Sequence, residues 1–336
     1  MTEKKPSYYQ QPRATPYWRH NWAVWLLLGF LTFFFVTACN GNTSQNSASQ
    51  LGHSPTAECR MVKHFMGETC VPTNPQRVVV LDTSPLDAAF ALGLKPIGSI
   101  NLEDFLSYSE EQLDGITEVG SDEQPNIEAI LRLQPDLILD CRRTDRQLYE
   151  QFSHIAPTVS LFTDDCDIQW KQGFLNFAEA LGKTEEAEQL LYKYHQRIRE
   201  FQKLMGDRLK QTEVSLVAAY DNSIRPARVY LENSFMGSVV AEAGLLRPPA
   251  QRRDDWVMEI SFERLELIDA DALFVVEYPP ESLRKLQPHP LWFQLNAVKQ
   301  DRVYPVHYGS WVAERSIGGA NRILDDLFKY LIEDAA

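Results

Sequence analysis

One uninterrupted helical pattern in the middle of the chain constrains the fold most strongly. From residue 184 onward, apolar side chains recur every three or four positions, and neither glycine nor proline occurs before Gly206. This spacing predicts one amphipathic helix with Thr184 as its N-cap. At 1.5 Å per residue the helix would run about 30 Å, long enough to brace two lobes, although an ordinary crossover helix would give the same pattern. The recurring apolar positions are Ala187, Leu190, Leu191, Tyr194, Ile198, Phe201 and Leu204.

Short β-rich apolar runs alternate with helical patterns on both sides of this segment. Before it, we predict strands at residues 78–81, 96–100, 137–139 and 158–162, with helices at 85–92, 127–133 (capped by Asn126), 146–153 and 170–181 (stopped by Gly182). After it, we predict strands at residues 214–219, 229–231, 273–277 and 303–305, with helices at 235–243 and 319–333. Such alternation is typical of parallel sheets with crossover helices, so the predicted fold class is α/β.

The two halves also contain a similar segment at equivalent points. Glu128 begins a short predicted helix, Asp136 follows eight residues later, and a buried run comes directly after it. Glu263 and Asp271 have the same relation to the run that follows them. A single match can arise by chance because helix–turn–strand units look alike. Its position in both halves indicates two lobes of the same topology.

The N-terminal residues have the layout of a secretory signal. Basic residues precede an uninterrupted apolar run at residues 22–38, which ends in small side chains before Cys39. The quartet Val36-Thr37-Ala38-Cys39 resembles a bacterial lipobox, whose cysteine is lipidated and becomes the mature N-terminus; a one-pass transmembrane anchor is the alternative. The polar composition that follows predicts a flexible tether. The predicted organisation is a signal peptide at 1–38, a lipidated tether at 39–57, an N-terminal α/β lobe at 58–183, a bridging helix at 184–210 and a C-terminal α/β lobe at 211–336.

The charge balance argues against some partners. The formal net charge is -13, and removing residues 1–38, with four basic side chains and one acidic one, makes it -16. An acidic body of this kind disfavours nucleic acid or an anionic membrane surface as the main partner. A small anionic ligand stays possible, because arginines can still gather locally in one cleft.

Four cysteines remain after Cys39 in a chain that we expect to reach an oxidising compartment. Three pairings are possible. We favour Cys59 with Cys70, which bracket a hairpin-like segment, and Cys141 with Cys166, which lie just beyond two successive predicted strands. Four free thiols are the alternative, and no cysteine or histidine cluster has the spacing of a zinc site.

Four further segments, taken in order, resemble one protein family. The chain is similar to the iron-siderophore and cobalamin binding proteins of ABC importers, among them the ferric dicitrate and ferrichrome binders. The resemblance covers nearly all of residues 59–336 and implies the class III periplasmic binding protein fold, two Rossmann-like α/β lobes bridged by a single long helix. The segments are Pro75-Gln76-Arg77-Val78-Val79-Val80-Leu81-Asp82, Pro125-Asn126-Ile127-Glu128 through Pro135-Asp136-Leu137-Ile138, Ile155-Ala156-Pro157-Thr158-Val159, and Ser261-Phe262-Glu263 through Asp269-Ala270-Asp271-Ala272-Leu273.

The resemblance also implies function and partners. It implies a monomeric lipoprotein on the periplasmic side of the inner membrane that binds a ferric siderophore or similar iron chelate, without a cofactor or enzymatic activity, and delivers it to an ABC permease dimer. Glu128 and Glu263 match the family's two lobe-surface glutamates, which dock on permease arginines. Both glutamates would also favour a first helical turn through the helix dipole alone.

We expect the ligand cleft between the lobes, beyond the carboxyl ends of the strands, where open α/β sheets bind ligands. Aromatic side chains suit the apolar flanks of an organic chelator, and guanidinium groups pair with its oxygens. The predicted cleft residues are those that follow strands, and the resemblance adds Trp170 and Trp256 to them. Those residues are Thr83, Ser84, Arg142, Arg143, Asp164, Asp165, Tyr220, Arg225, Tyr278, Tyr308, Trp311 and Arg315.

One departure leaves the chelate class open. Hydroxamate binders of this family tend to have an arginine before the Pro-Asn-Ile-Glu segment, where this chain has Ser121-Asp122-Glu123. Haem and cobalamin remain alternative ligands, and His307 beside Tyr308 is the pair that could ligate haem iron or a metal. An exported hydrolase is a remote alternative, since no G-x-S-x-G elbow occurs and Gly309-Ser310-Trp311 lacks that spacing.

Overall fold

The computed structural model describes residues 58–102, 107–142, 144, 146–161, 166–220, 226–278 and 281–334. The predicted signal peptide and the whole of the predicted tether, including Cys39, lie outside these residues. So do four predicted cleft residues: Arg143, Asp164, Asp165 and Arg225.

The described chain begins with a β-hairpin. Strands β1 (Cys59–His64) and β2 (Gly67–Pro72) pair antiparallel. A disulfide joins Cys59 to Cys70, whose Cα atoms are 5.5 Å apart, and this predicted pairing is confirmed. The Arg60 guanidinium donates to the carbonyl oxygens of Thr73, Glu179 and Ala180, which fastens the hairpin to the end of a later helix.

The first lobe contains a parallel five-stranded sheet in the order β5-β4-β3-β6-β7. Its strands are β3 (Val78–Val80), β4 (Gly98–Ser99), β5 (Thr117–Glu118), β6 (Leu137–Asp140) and β7 (Thr158–Ser160). Its helices are α1 (Thr83–Ala91), α2 (Glu110–Leu113), α3 (Ile127–Leu133) and α4 (Arg146–Ser153). The chain winds in one direction from β3 to β5 and in the other from β6 to β7, so the topological switch point lies between β3 and β6.

The second lobe repeats this strand order as β10-β9-β8-β11-β12. Its strands are β8 (Val214–Tyr220), β9 (Ala227–Tyr230), β10 (Val257–Ile260), β11 (Ala272–Tyr278) and β12 (Val303–Val306). The predicted parallel pairing is confirmed for β8, β11 and β12. It is wrong for β9, which runs antiparallel to both β8 and β10. The switch point again lies between the first and fourth strands, β8 and β11.

Helices and short helical turns complete the second half. The helices are α7 (Phe235–Glu242), α8 (Leu283–Leu286), α9 (Asn296–Lys299) and α10 (Ile317–Phe328). The 3₁₀ turns are Gly206–Lys210, Pro249–Gln251, Phe262–Ile268 and Trp292–Gln294, and the π-helical turns are Gly309–Ala313 and Lys329–Glu333.

The internal repeat in the sequence has a structural cause. Asp136 accepts hydrogen bonds from the backbone amides of Gln76 and Arg77, at 2.7 and 2.9 Å, just before β3. Asp271 accepts one from the amide of Glu213 at 2.9 Å, just before β8. Each aspartate therefore ties the end of its helix–turn segment to the start of the central strand of its own lobe.

Two consecutive helices connect the sheets. Helix α5 (Trp170–Leu181) ends at Gly182, whose φ of 72° is left-handed, and α6 (Thr184–Met205) follows as 22 unbroken residues. At 1.5 Å per residue α6 is about 33 Å long. Its N-cap is Lys183, so the predicted N-cap at Thr184 is one residue late; Thr184 is the first helical residue.

The apolar core shows how the lobes are joined. One face of each sheet has its own apolar cluster, with α3 and α4 on the first sheet and the turn Phe262–Ile268 on the second. The opposite faces share a single larger cluster that continues through α1, α5, α6, α7 and α10. In the described part of the chain, the two five-stranded sheets therefore share one continuous core. The lobe boundaries at 183 and 211 stay a prediction.

A buried polar network also links the lobes where α1 meets α10. The Asp87 carboxylate on α1 accepts hydrogen bonds from the amides of Gly318 and Gly319, at 2.8 and 3.2 Å, and from Arg322 at 2.9 Å. A carboxylate at a helix N-terminus is stabilised by the helix dipole. Arg322 also donates to Glu314, so one cation contacts an acidic side chain from each half of the chain.

Candidate functional site

A cavity of about 210 Å³ lies between the lobes, at the carboxyl ends of their central strands. Thr83 follows β3 and Tyr220 ends β8, so the two switch points face the same space. Open α/β sheets bind ligands at such positions. Tyr308, Trp311 and Arg315, which follow β12, line the cavity as well. These five residues were predicted from their positions after strands.

Aromatic side chains form much of the wall. Trp256 packs edge-on against Tyr230, with ring centroids 6.3 Å apart, and is 43% exposed. Tyr308 stacks on Tyr278 with centroids 4.5 Å apart. Burial, together with the neighbouring Tyr220, raises the pKa of Tyr230, so its phenol stays protonated and neutral. The wall therefore offers flat apolar faces with hydroxyl groups at their edges.

Arg315 is held by carboxylates of the first lobe. Its Nη2 donates to both oxygens of Asp82, at 3.0 and 3.1 Å, and its Nε lies 3.6 Å from Asp167 Oδ1. Asp82 is only 4% exposed and caps α1 by accepting from the amide of Ser84. Burial alone would lower the pKa of Arg315, but the two aspartates raise it overall, so the guanidinium is a permanent cation within an ion cluster.

Arg228 is the second cation on the cavity wall, and the sequence analysis missed it. Its guanidinium carbon lies 5.2 Å from the ring centroid of Tyr220, and Nη2 lies 3.2 Å from Glu259 Oε1. Burial opposes its charge, but the neighbouring Tyr220 and Glu259 raise its pKa overall. Arg228 and Tyr230 alternate along β9 with the buried Ala227 and Val229, and this alternation was the available signal.

Further cavity residues were also missed. Asn101, Val312 and Ala313 follow the parallel strands β4 and β12, whereas the others lie just before or at the start of helices. Asp122 lies on the loop before α3, and Asp167 lies just before α5. Ser234, Phe235 and Met236 lie at the start of α7, where the sequence pattern predicts a helix N-terminus but does not indicate a ligand contact. The missed residues besides Arg228 and Tyr230 are Asn101, Asp122, Asp167, Ser234, Phe235, Met236, Val312 and Ala313.

Three predicted cleft residues serve the protein interior instead. Trp170 is 1% exposed and packs edge-on against Tyr194 and Phe235, so its assignment to the cleft is corrected. Arg142 pairs with Asp140 at 2.9 Å and is almost completely buried. Ser84 is buried in the first turn of α1. Tyr278 is exposed at the rim, where it contacts the cavity wall through Tyr308.

The second disulfide fastens one wall of the cavity. Cys141 follows β6 and Cys166 precedes Asp167, and the two buried residues have Cα atoms 6.5 Å apart. This predicted pairing is also confirmed. It ties the segment that carries Asp167 to the end of the first sheet, and so holds that carboxylate near Arg315.

His307 does not share the cavity with Tyr308. It lines a separate pocket with Ser107, Ser310, Arg322, Asp325 and Asp326, so the two neighbouring residues face different spaces. Among the described residues, no group of three or more histidine, cysteine, aspartate or glutamate side chains is placed to hold a metal ion. In the same part of the chain, no helix is both long enough and apolar enough to cross a bilayer.

Comparison with known proteins identifies the family. The family model described as periplasmic binding protein matches residues 78–307. This chain belongs to that family. Relatives of this binding protein match it over most of their own length. A probable siderophore-binding lipoprotein of Bacillus subtilis is 29% identical over 92% of this chain and 97% of the relative. The achromobactin-binding periplasmic protein of Dickeya dadantii is 33% identical over 75% of this chain and 85% of the relative.

The same fold occurs in solved structures. The SirA protein of Staphylococcus aureus, crystallised with staphyloferrin B, superimposes on this binding protein with a TM-score of 0.70 and 29% sequence identity. The match covers 81% of this chain and 98% of SirA. The predicted fold, two α/β lobes joined by a long helix as in class III periplasmic binding proteins, is thereby confirmed.

Proposed function

We propose that this protein is the substrate-binding lipoprotein of an ABC importer and that it captures a ferric siderophore or a similar ferric chelate in the cavity between its lobes. The observation that carries the proposal is the cavity itself, which lies at the switch points of both five-stranded sheets. Its wall combines tyrosine and tryptophan faces with two guanidinium groups. Relatives named for siderophore and Fe(3+)-citrate binding support the choice of a ferric chelate.

Binding in this cavity needs no covalent chemistry. The tyrosine and tryptophan rings can cover the apolar flanks of a chelator. Hydroxyl groups and the remaining guanidinium nitrogens can donate hydrogen bonds to the oxygens that surround the iron. The iron itself is cargo, held by the chelator's oxygens.

A titration of the mature protein tests this proposal. Tryptophan fluorescence should be quenched by at least one ferric siderophore or ferric citrate at micromolar concentration or below, because Trp256 lies on the cavity wall. Haem and cobalamin belong in the same panel. Saturable quenching by haem or cobalamin alone would contradict the ferric siderophore assignment, and no saturable quenching by any of them would contradict the transport role.

For delivery, we propose that Glu128 and Glu263 dock on the permease. Both are exposed and lie in the first turn of equivalent helical segments, α3 and Phe262–Ile268. Asp136 and Asp271 attach these segments to the central strand of each lobe. One carboxylate per lobe on a rigid support can register a two-lobed protein on two permease subunits.

Charge reversal tests the docking role. The double variant Glu128→Lys with Glu263→Lys should abolish uptake into cells while the dissociation constant for the chelate stays within about twofold of the native value. The matched control is Glu110→Lys with Glu185→Lys, which reverses exposed glutamates in the first turns of α2 and α6. Equal loss of uptake in the control, or loss of chelate affinity in the test variant, would contradict docking.

The site of action completes the proposal. We place the mature protein on the outer side of the inner membrane, attached through lipid on Cys39, because residues 36–39 resemble a lipobox and relatives are named as lipoproteins. Replacement of Cys39 by alanine should release the protein from membranes on fractionation. If the variant stays in the membrane fraction, the apolar run at residues 22–38 is the anchor instead.

A further inference from the structure

We infer that the buried disulfide between Cys141 and Cys166 positions the ligand site, so that the protein reaches its full affinity for a ferric chelate only after these two cysteines are oxidised. This inference rests on the proposed function and adds a condition to it. Disulfides form in the oxidising compartments that exported proteins reach. Formation of the bond therefore completes the cavity on the side of the membrane where the chelate is captured.

The two disulfides of the described chain lie in different surroundings. Cys59 and Cys70 are exposed and join two strands that are already paired by backbone hydrogen bonds. Neither residue lines the cavity. Cys141 and Cys166 are 0% and 1% exposed, and they join the end of the first sheet to the segment before α5. Of the two bonds, the second is therefore the one that connects separate elements beside the cavity.

Cys141 is the fixed side of this bond. It directly follows Asp140, the last residue of β6, which is completely buried. Asp140 pairs with Arg142 at 2.9 Å and accepts a hydrogen bond from Thr144. These contacts hold the backbone on both sides of Cys141, so a displacement on loss of the bond falls mainly on Cys166.

Asp167 is the cavity residue that the bond holds in place. It directly follows Cys166 and lines the cavity, where its Oδ1 lies 3.6 Å from Arg315 Nε. The Ser84 hydroxyl also lies 3.4 Å from Nε, but it carries no charge. Both oxygens of Asp82 accept from a different nitrogen of the guanidinium, Nη2. Two carboxylates at two nitrogens fix the plane of the Arg315 guanidinium, whereas Asp82 alone would let the group turn about one contact.

Formation of the bond changes the geometry of this wall. Two electrons and two protons pass from the thiols to a disulfide oxidant, which is reduced to two thiols, as the Sγ–Sγ bond forms. In the reduced protein the two buried sulfur atoms must move apart to van der Waals contact. Because Cys141 is fixed, this movement shifts Cys166 and the neighbouring Asp167 relative to Arg315. A ligand must then order the guanidinium as it binds, which lowers its affinity.

Alanine variants of the two disulfides test the inference. Cys141→Ala with Cys166→Ala should weaken chelate binding at least about tenfold, whereas Cys59→Ala with Cys70→Ala should change the dissociation constant by less than about twofold. Each variant loses a cross-link that restricts the unfolded chain, so lower stability is expected in both and only the affinities should differ. Equal affinities in the two variants would overturn the inference and leave the proposed function in place.

The probe is chosen on the native protein. Equilibrium dialysis measures its binding of ferric citrate, a ferric tris-hydroxamate and a ferric tris-catecholate, and the tightest of the three is used with every variant. Failure of the native protein to bind any of them would overturn the proposed function and the inference together.

An Asp167 variant provides the second arm, which does not depend on the folding of a cysteine variant. With the disulfide intact, Asp167→Asn should weaken binding at least about fivefold, and Asp207→Asn, on an exposed turn after α6, by less than about twofold. Added to the Cys141→Ala and Cys166→Ala changes, Asp167→Asn should cost less than about twofold more, because the bond acts through this carboxylate. No loss in Asp167→Asn alone, or fully additive losses in the combined variant, would overturn the inference.

Discussion

Trp170 and Trp256 have the same side chain in opposite surroundings. Trp170 is buried between Tyr194 and Phe235, whereas Trp256 keeps 43% of its surface exposed on the cavity wall. Replacing Trp170 with alanine should lower the free energy of unfolding by about 3–5 kcal/mol, because it leaves a large void in the shared core.

Trp256→Ala should instead weaken chelate binding by about tenfold and change the free energy of unfolding by less than about 1 kcal/mol. Urea unfolding and chelate titration of both variants separate the two roles; the titration is read by equilibrium dialysis, since Trp256 is also the fluorescent reporter. A stability loss at Trp256 as large as that at Trp170 would contradict this assignment.

Glu314 gives the protein a pH-dependent stability. Burial, with the nearby charge of Asp87, raises the pKa of Glu314 to about 7 even though Arg322 opposes the shift. The folded state therefore keeps a proton that the unfolded chain releases near pH 4.5. The resulting stabilisation is complete below that pH and is lost as the pH rises through about 7, with a magnitude of at most about 3 kcal/mol.

The variant Glu314→Gln isolates this effect, because glutamine keeps the shape and does not titrate. Between pH 5 and pH 8, the free energy of unfolding of the native protein should fall relative to that of the variant. The group around Glu314 includes Ser107, Asp87, Tyr108, Arg322 and the nearby His307. Parallel pH profiles for the two proteins would show that Glu314 does not carry the dependence.

Residues after parallel strands were the part of the site that the sequence could predict. Thr83, Tyr220 and Arg315 line the cavity because the carboxyl ends of parallel strands meet at one edge of a sheet. Arg228 could not be found by that rule, since it projects from the face of the antiparallel strand β9. Arg315 shows a second limit: its position was predictable, but its pairing with Asp82 depends on contacts between distant segments.

At the level of elements, helix ends were predictable where caps occur in the sequence. Asn126 caps α3 by accepting from the amide of Ala129, and Gly182 ends α5, as predicted. The direction of β9 was not predictable, because a short apolar run has the same pattern in parallel and antiparallel sheets. The predicted strand at 96–100 shortens to Gly98–Ser99 for a comparable reason, since apolar composition alone does not show where pairing stops.

The start of α10 requires glycine at two positions, Gly318 because α1 approaches it closely and Gly319 because the preceding turn does. A Cβ atom on Gly318 would lie 2.1 Å from Asp87 Oδ1, and one on Gly319 would lie 1.9 Å from the backbone oxygen of Glu314. Gly318→Ala should therefore lower the free energy of unfolding by about 2–3 kcal/mol through overpacking and loss of the Asp87 contact. Urea unfolding measures the loss.

Gly93→Ala is the matched control for this prediction. Gly93 has a φ of 74° and open space around its Cα, so alanine there should cost only the backbone strain of about 1 kcal/mol. An equal cost at Gly93 and Gly318 would mean that the contact between α1 and α10 contributes nothing of its own.

At the scale of the whole molecule, the connection between the lobes resists large closure. Helix α6 is continuous over 22 residues, and the apolar core runs without interruption from one sheet to the other. Polar contacts cross the same interface, including Arg315 with Asp82 and the Thr83 hydroxyl with the backbone oxygen of Ala313. Wide hinge motion would have to break these buried contacts at the same time, whereas lobes joined only by flexible strands would not face that cost.

Small-angle scattering tests this stiffness in solution. On saturation with a ferric chelate that binds, the radius of gyration should change by less than about 1 Å. The double variant Asp82→Asn with Asp87→Asn removes the polar contacts and keeps α6, so it separates the two sources of stiffness. If the variant compacts on binding and the native protein does not, the buried carboxylates hold the lobes. If neither compacts, the helix and the shared apolar core are sufficient, and a large compaction of the native protein would contradict the rigid connection altogether.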